Sequence, residues 1–134
     1  MILISPSKNL NIRSETINFN FSEPKFKKKI KALSDSLKGL SISELKSLMP
    51  ISDKLVELNI KRFENFGKPS NLKKPAVFLF TGATFDGLSI RSFDEDSYDY
   101  VQKNLRILSG LYGILKPFDI IQPYRLEMGT NTLK

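Results

Sequence analysis

The sequence predicts a mixed α/β fold built as one domain, and three observations carry that prediction. Apolar residues recur at helical spacing in several stretches, short apolar runs bounded by turn residues stand apart from them, and the bulk composition is globular. Of 134 residues, 40% are hydrophobic and 26% charged, close to the usual globular mix and far from the low-apolar signature of disorder. A domain of this length buries roughly two-thirds of the surface its unfolded chain exposes.

Ile2-Leu3-Ile4 reads as a short buried strand, and Pro6 takes the following Ser5-Pro6-Ser7-Lys8 out of any ladder. From Pro24 to Leu37, the residues Phe26, Ile30, Leu33 and Leu37 form one stripe of an amphipathic helix. Ser22 is positioned to cap it, Pro24 suits its first turn and Gly39 its end. Ser41 and Glu44 have capping-box spacing and open a second helix that Pro50 stops. Ser52 caps a third, with Leu55, Leu58 and Phe63 facing inward until Gly67 and Pro69.

After the break at Lys73-Lys74-Pro75, the continuous run from Ala76 to Phe80 predicts a strand covered on both faces, followed by a loop from Thr81 to Gly87. Ser92 and Glu95 repeat the capping-box spacing, and Asp94, Glu95 and Asp96 suit the positive end of a helix dipole. Tyr98, Val101, Leu105 and Leu108 would be that helix's buried stripe. Ile107 to Leu115, relieved by Gly110 and Gly113, fits either a strand or a tight hairpin ending at Pro117. Tyr124, Leu126 and Met128 alternate with Arg125 and Glu127, the period of a half-buried strand.

Cysteine and histidine are both absent. Thiol nucleophiles, disulfides, Cys/His zinc sites and imidazole bases are therefore excluded, and no metal and no cofactor is expected. The opening lacks the features of a secretory signal and no apolar run is long enough to cross a bilayer, so a cytoplasmic location without a membrane partner is expected. The formal charge of +7 is uneven: Met1 to Lys74 hold 15 Lys or Arg against 7 Asp or Glu, and the remainder 6 against 7. A basic first half suits a polyanion. Its Lys25, Lys27, Lys28, Lys29, Lys31 and Lys38 form either a phosphate-facing surface or a solvated one.

Other motifs are weaker. Gly82 and Gly87 have P-loop glycine spacing, but Leu88 and Ser89 stand where Lys and Ser/Thr are needed. The acidic cluster at Asp94, Glu95, Asp96 and Asp99 lacks the spacing of a calcium loop. Ser109 to Gly113 fits neither the glycine hairpin of helix-hairpin-helix proteins nor a KH loop closely. A better constellation arises if strands ending near Ile4, Phe80 and Leu115 run parallel. Ser5, Ser7, Lys8, Thr81, Thr84, Asp86 and Lys116 would then emerge along one sheet edge, where open α/β folds bind ligands.

The segments Ile2 to Lys8, Ile51 to Leu55, Thr81 to Leu88 and above all LRILSGLYGILKPFDIIQPYRLEMG, Leu105 to Gly129, resemble the YaaA family of bacterial peroxide-stress proteins, in order and over nearly the whole chain. The resemblance implies a compact YaaA-like fold, with a small mixed sheet flanked by helices. It also implies a basic cleft and a helix-hairpin-helix-like element, in a cytosolic protein that binds DNA and limits oxidative damage. Family members are about twice as long, so residues 1–134 answer to the N-terminal part of a YaaA-like domain, truncated after its most recognisable segment. Without cysteine, a peroxide response cannot run through thiol oxidation here; Met1, Met49 and Met128 are the oxidisable residues.

The leading expectation is a non-enzymatic protein that binds double-stranded DNA. Lys8, Lys28, Lys31, Lys54, Lys116 and Arg125 are its candidate anion contacts, and Lys8, Lys116 and Arg125 are expected to lie near one another. The alternative is an enzyme acting on a phosphorylated or nucleotide substrate, with Lys8 and Lys116 as anion clamps. Ser5, Ser7 and Thr84 would be its polar site, and Asp86 its acid or base. Self-association through apolar surface that a longer chain would cover is a further expectation.

Overall fold

In the computed structural model, which describes residues 1–7, 9–17, 19–48 and 52–124, the chain opens with strand β1 (Ile2–Ile4) and reaches its first helix, α1, at Lys27–Lys38. Helix α1 buries Ile30, Ser34 and Leu37, and Gly39 ends it. Its start corrects the expected cap. The N-cap position is Phe26, with no side-chain cap, while the Ser22 hydroxyl donates to the Asp119 carboxylate at 2.5 Å.

Helix α2 (Ile42–Leu48) opens with the expected capping box: Glu44 N–H donates to Ser41 Oγ at 3.2 Å, and Ser41 N–H donates to Glu44 Oε1 at 3.1 Å. Helix α3 (Asp53–Asn65) is capped by Ser52, which accepts from Leu55 N–H at 3.3 Å. Its inward face is Val56, Asn59 and Phe63; Leu55 and Leu58 point out. Asn59, a polar residue at the centre of the buried face, hides that face from a hydropathy reading.

The run at 76–80 overturns the predicted strand. Strand β2 (Lys74–Pro75) is followed at once by a single helical turn, α4 (Ala76–Leu79), closed by Phe80 N–H donating to Ala76 O at 3.1 Å. Every residue of the run is buried, and a short run buried all round carries no periodicity to separate helix from strand. Most of the predicted loop from Thr81 to Gly87 is instead helix α5 (Ala83–Leu88), and a 3-10 turn at Ile90–Ser92 follows it.

Helix α6 (Glu95–Asn104) is capped by Asp94, which accepts from Ser97 N–H at 2.8 Å; Ser92 instead donates its hydroxyl to Ser89 O at 2.7 Å. Leu105 and Leu108 belong to strand β3 (Leu105–Ser109), which follows α6 without a loop. Strands β3 and β4 (Gly113–Leu115) form the tight hairpin, one of the two arrangements the glycines allowed. Strand β5 (Ile120–Ile121) pairs antiparallel with β2. The predicted strand at 124–128 lies outside the described residues except for Tyr124, which is buried.

The main sheet has the order β1-β3-β4, with β1 parallel and β4 antiparallel to β3. Six helices and two small sheets among the described residues make this a mixed α/β fold. Its core centres on Phe118, whose ring lies 4.5 Å from Phe19, 5.1 Å from Tyr98 and 6.0 Å from Phe78 between centroids. Beside it Asp119 is buried. Its carboxylate accepts from the Ser22 hydroxyl and from Lys116 N–H, and Gln102 donates to Ser22 and accepts from Phe118 N–H. Burial raises the Asp119 carboxyl above its ordinary range despite these bonds.

Candidate nucleic-acid interface

Because α1 buries one narrow stripe, its lysines spread over both flanks. Lys27, Lys31 and Lys38 line a cleft of about 360 Å³ closed on the other side by Phe66, Gly67, Tyr112 and Gln122. Each has a partner: Lys27 pairs with Glu23, Lys31 with Asp35 at 3.1 Å, and Lys38 donates to Phe66 O at 2.6 Å. On the opposite flank, Lys25 and Lys29 each stand 5.9 Å from the centroid of Phe26. Lys29 and Leu33 there border a second hollow, about 300 Å³, against the turn Gly110 to Gly113. Lys28 is exposed between the flanks, three residues from Lys31 and so its neighbour on the helix surface.

Tyr112 forms the floor between these hollows. Burial pushes its hydroxyl well above the usual range even though it accepts from Gln122 N–H at 2.9 Å. Its neighbour Tyr124, 5.4 Å away between centroids, is pushed up to about 12 by burial while bonded to Ser109. The close approach of α1 to this turn depends on Gly113: φ is +76°, and a Cβ there would stand 3.0 Å from the Phe26 ring.

The other candidate residues are dispersed. Lys54 is exposed in the first turn of α3, beside the Lys46–Asp53 ion pair. Lys116 is exposed after β4. Ser5 is exposed, while Ser7 ties two segments, donating to Asn9 O at 2.6 Å and accepting from Thr81 N–H at 2.9 Å. Thr84 borders a small apolar cavity with Ile2, Ile4, Leu88 and Tyr100. Asp86 borders a different hollow, about 340 Å³, with Thr81, Ser89 and Arg91. Lys8 and Arg125 lie outside the described residues.

The premise of parallel strands ending at one edge is corrected. Residues 76–79 are helical, and the hairpin turns β4 antiparallel, so Ile4, Ile107 and Leu115 share one level. From that level the chain continues through Ser5 and through Lys116 in opposite directions. Ser7 and the Thr81-Gly82 segment are drawn together, with Ser7 Cβ 3.9 Å from where a Gly82 Cβ would be, and Asp86 shares a hollow with Thr81.

One buried charged cluster was not legible. Lys74 is 2% exposed, and its ammonium contacts the Glu15 carboxylate and Asn11 O. Arg91 grips the same carboxylate through two bonds of 2.7 Å and stacks 5.2 Å from the Phe78 centroid. The Arg91 bonds first, with Lys74 adding to them, lower the Glu15 carboxyl from 4.5 to about 2 against the opposing effect of burial. Lys74 carried only a turn signal in sequence, since nothing local announces a partner so far along the chain. Among the described residues, no cluster of acidic side chains could hold a metal ion, and no helix is long and apolar enough to cross a membrane.

A sequence model of the family described as peroxide stress protein YaaA matches residues 1–134. A UPF0246 protein of Idiomarina loihiensis is 43% identical over 133 residues, covering 98% of this chain and 52% of the relative. UPF0246 proteins of Burkholderia mallei and Burkholderia pseudomallei are 42% identical over 134 residues, covering 98% and 51%. The chain thus spans about half the length of the curated relatives it matches. It belongs to the peroxide stress protein YaaA family.

Proposed function

We propose that this member of the YaaA family serves the cytoplasmic peroxide response by binding double-stranded DNA without catalysis, holding phosphates with the lysines of α1 and limiting oxidative damage. The observation that carries the reading is the placing of Lys27, Lys28, Lys29 and Lys31 around one helix whose flanks are open clefts, with Lys25 just before its first turn. Phosphate contacts of this kind fix position and carry no direct base information. The helix-hairpin-helix-like element fits α2 and α3, which pack Leu45 on Val56 and carry Lys46 and Lys54 beside their link. The turn at Gly110 to Gly113 is flanked by strands and suits that role less. The alternative, an enzyme for a phosphorylated or nucleotide substrate, draws less support because Ser7 and Asp86 meet around Thr81 and Gly82 while Thr84 borders a separate apolar cavity and Lys116 leaves the sheet in the direction opposite to Ser5.

Equilibrium binding to duplex DNA across a salt series tests the proposal. If α1 meets about three phosphates, each contributes about −0.9 to the slope of log K against log salt. Lys28→Glu with Lys31→Glu should weaken all duplexes alike and flatten the slope. Asp35→Asn, which releases Lys31 from its ion pair, should tighten binding. Affinity and slope unchanged by both variants would reject α1 as the interface.

A further inference from the structure

The cleft between α1 and the Phe66-Gly67 segment ends on a floor whose acceptors are spent and whose donors are not. Tyr112 is 3% exposed, and its hydroxyl oxygen accepts from Gln122 N–H at 2.9 Å, which places it at the Gln122 end of the cleft. Among the described residues, nothing accepts the proton of that hydroxyl. The Gln122 amide is engaged on one side: Oε1 accepts from Gly67 N–H at 2.8 Å and from Asn71 Nδ2 at 2.9 Å, while Nε2 has no acceptor among the described residues. Phe66 O accepts from Lys38 at 2.6 Å, and the Lys38 ammonium keeps further N–H donors.

The rim above this floor is cationic. Lys27 and Lys31 line the same cleft in ion pairs with Glu23 and Asp35, all four side chains more than half exposed. Pairs this open hold weakly and yield to a better anion. Between floor and rim the wall is apolar, formed by Ile30, Phe66 and Ile120. At about 360 Å³ the hollow lies at the small end of the range for small-molecule sites. A ligand that fits must bring acceptors to Tyr112 and Gln122, negative charge to the lysines and an apolar body to the wall. A phosphate monoester meets the first two demands, with three acceptor oxygens and roughly two negative charges. A carboxylate has fewer oxygens and less charge to offer.

We propose that this cleft binds a small phosphate monoester with a flat apolar body, of which a nucleoside monophosphate is the type. Lys38, Tyr112 Oη and Gln122 Nε2 hold the phosphate, and the ring lies against Ile30 and Phe66. Lys27 and Lys31 are shared with the proposed DNA surface, but Lys38, Tyr112 and Gln122 stand outside the lysine set that carries it, so the site does not rest on that reading. The same chemistry occurs at the 5′-phosphate end of a nucleic-acid strand, and the test separates the two sources.

Isothermal titration of the 134-residue chain with AMP should show saturable binding, with adenosine and inorganic phosphate each weaker by about tenfold or more. Tyr112→Phe keeps the ring and removes the donor; it should weaken AMP about tenfold, the worth of a hydrogen bond to a charged acceptor. Lys38→Met should weaken AMP at least as much, and Asp35→Asn should tighten it. Lys103→Met, exposed in the last turn of α6, should change nothing. No saturable binding of AMP, or binding indifferent to Tyr112→Phe, overturns the proposal; if urea denaturation shows that this variant does not fold, the exposed Asp35→Asn decides in its place. Displacement of AMP by a 5′-phosphorylated oligonucleotide but not by its unphosphorylated twin assigns the cleft to strand ends. Displacement by neither assigns it to the free mononucleotide, and both outcomes support the site. Equal displacement by the two overturns it, because the cleft would then take any backbone phosphate.

Discussion

Removing Glu15 should cost far more than removing the lysine it faces, and the asymmetry follows from where each charge sits. Lys74 is 2% exposed, Glu15 22% and Arg91 50%. Glu15→Ala leaves a buried ammonium with Asn11 O as its remaining polar contact, and stranding one partner of a buried pair costs about 3–5 kcal/mol. Arg91 adds little, because an ion pair that open to solvent is worth at most about 1 kcal/mol. Lys74→Met keeps the buried volume and leaves Glu15 held by both Arg91 bonds, so its cost should stay below about 1.5 kcal/mol, as for a volume-conserving core exchange. With a urea m-value of about 2 kcal/mol/M for a small domain, Glu15→Ala should lower the midpoint by about 1.5 M or more, and Lys74→Met by less than about 0.8 M. The double variant should be more stable than Glu15→Ala alone, since the stranded charge is gone. Urea denaturation of the four proteins, followed by circular dichroism, decides the matter. Strictly additive costs, or a larger loss from Lys74→Met than from Glu15→Ala, would refute the reasoning.

Acid should unfold the protein partly through the same carboxylate. Its pKa is lowered from 4.5 to about 2, so its contribution is complete above pH 4.5 and disappears as pH falls toward 2. Glu15→Gln should flatten that limb of a midpoint-against-pH curve, leaving Asp119 to act in the opposite sense, since a raised carboxyl loses stability as pH rises. Asp119→Asn puts an amide where a carboxylate accepts from both Ser22 and Lys116 N–H; a loss of about 1–3 kcal/mol in urea denaturation is expected. Gly113→Ala should destabilise by about 1–3 kcal/mol, and adding Phe26→Ala should not restore the loss, because the positive φ remains. Ser52→Ala should cost about 1 kcal/mol, the usual worth of an N-cap, in thermal melts.

Local chemistry was legible where it is self-contained. Ser41, Glu44 and Ser52 cap the helices their spacing announced, because a capping box needs only neighbours three residues apart. Signals failed where distant partners override local preference. Ser22 is a sound N-cap by residue type but is claimed by Asp119 and Gln102. The stripe Val56, Asn59, Phe63 was misread by one position because its middle member is polar. The apolar run at 76–80 said that it is buried and could not say in which conformation. For the candidate interface, the lysines of α1 were visible as a set, whereas their division between two clefts depends on Phe66, Tyr112 and the Gly110 turn, which approach from later segments. The Lys74–Glu15–Arg91 cluster joins three such segments and left no local trace.

The parallel pairing of β1 with β3 places Ile2 against Leu105, so β1 waits for about a hundred further residues before it has this partner. Helices α1, α2 and α3 can form in that interval from their own caps and short-range contacts, but the sheet cannot close until the 105–107 segment has left the ribosome. Until then Ile2-Leu3-Ile4 stays an unpaired aliphatic tripeptide beside a basic stretch of chain. Long-range closure of this kind is slow and leaves apolar segments exposed meanwhile. The polypeptide is thus most open to misassociation until the 105–107 segment is free to pair with Ile2–Ile4.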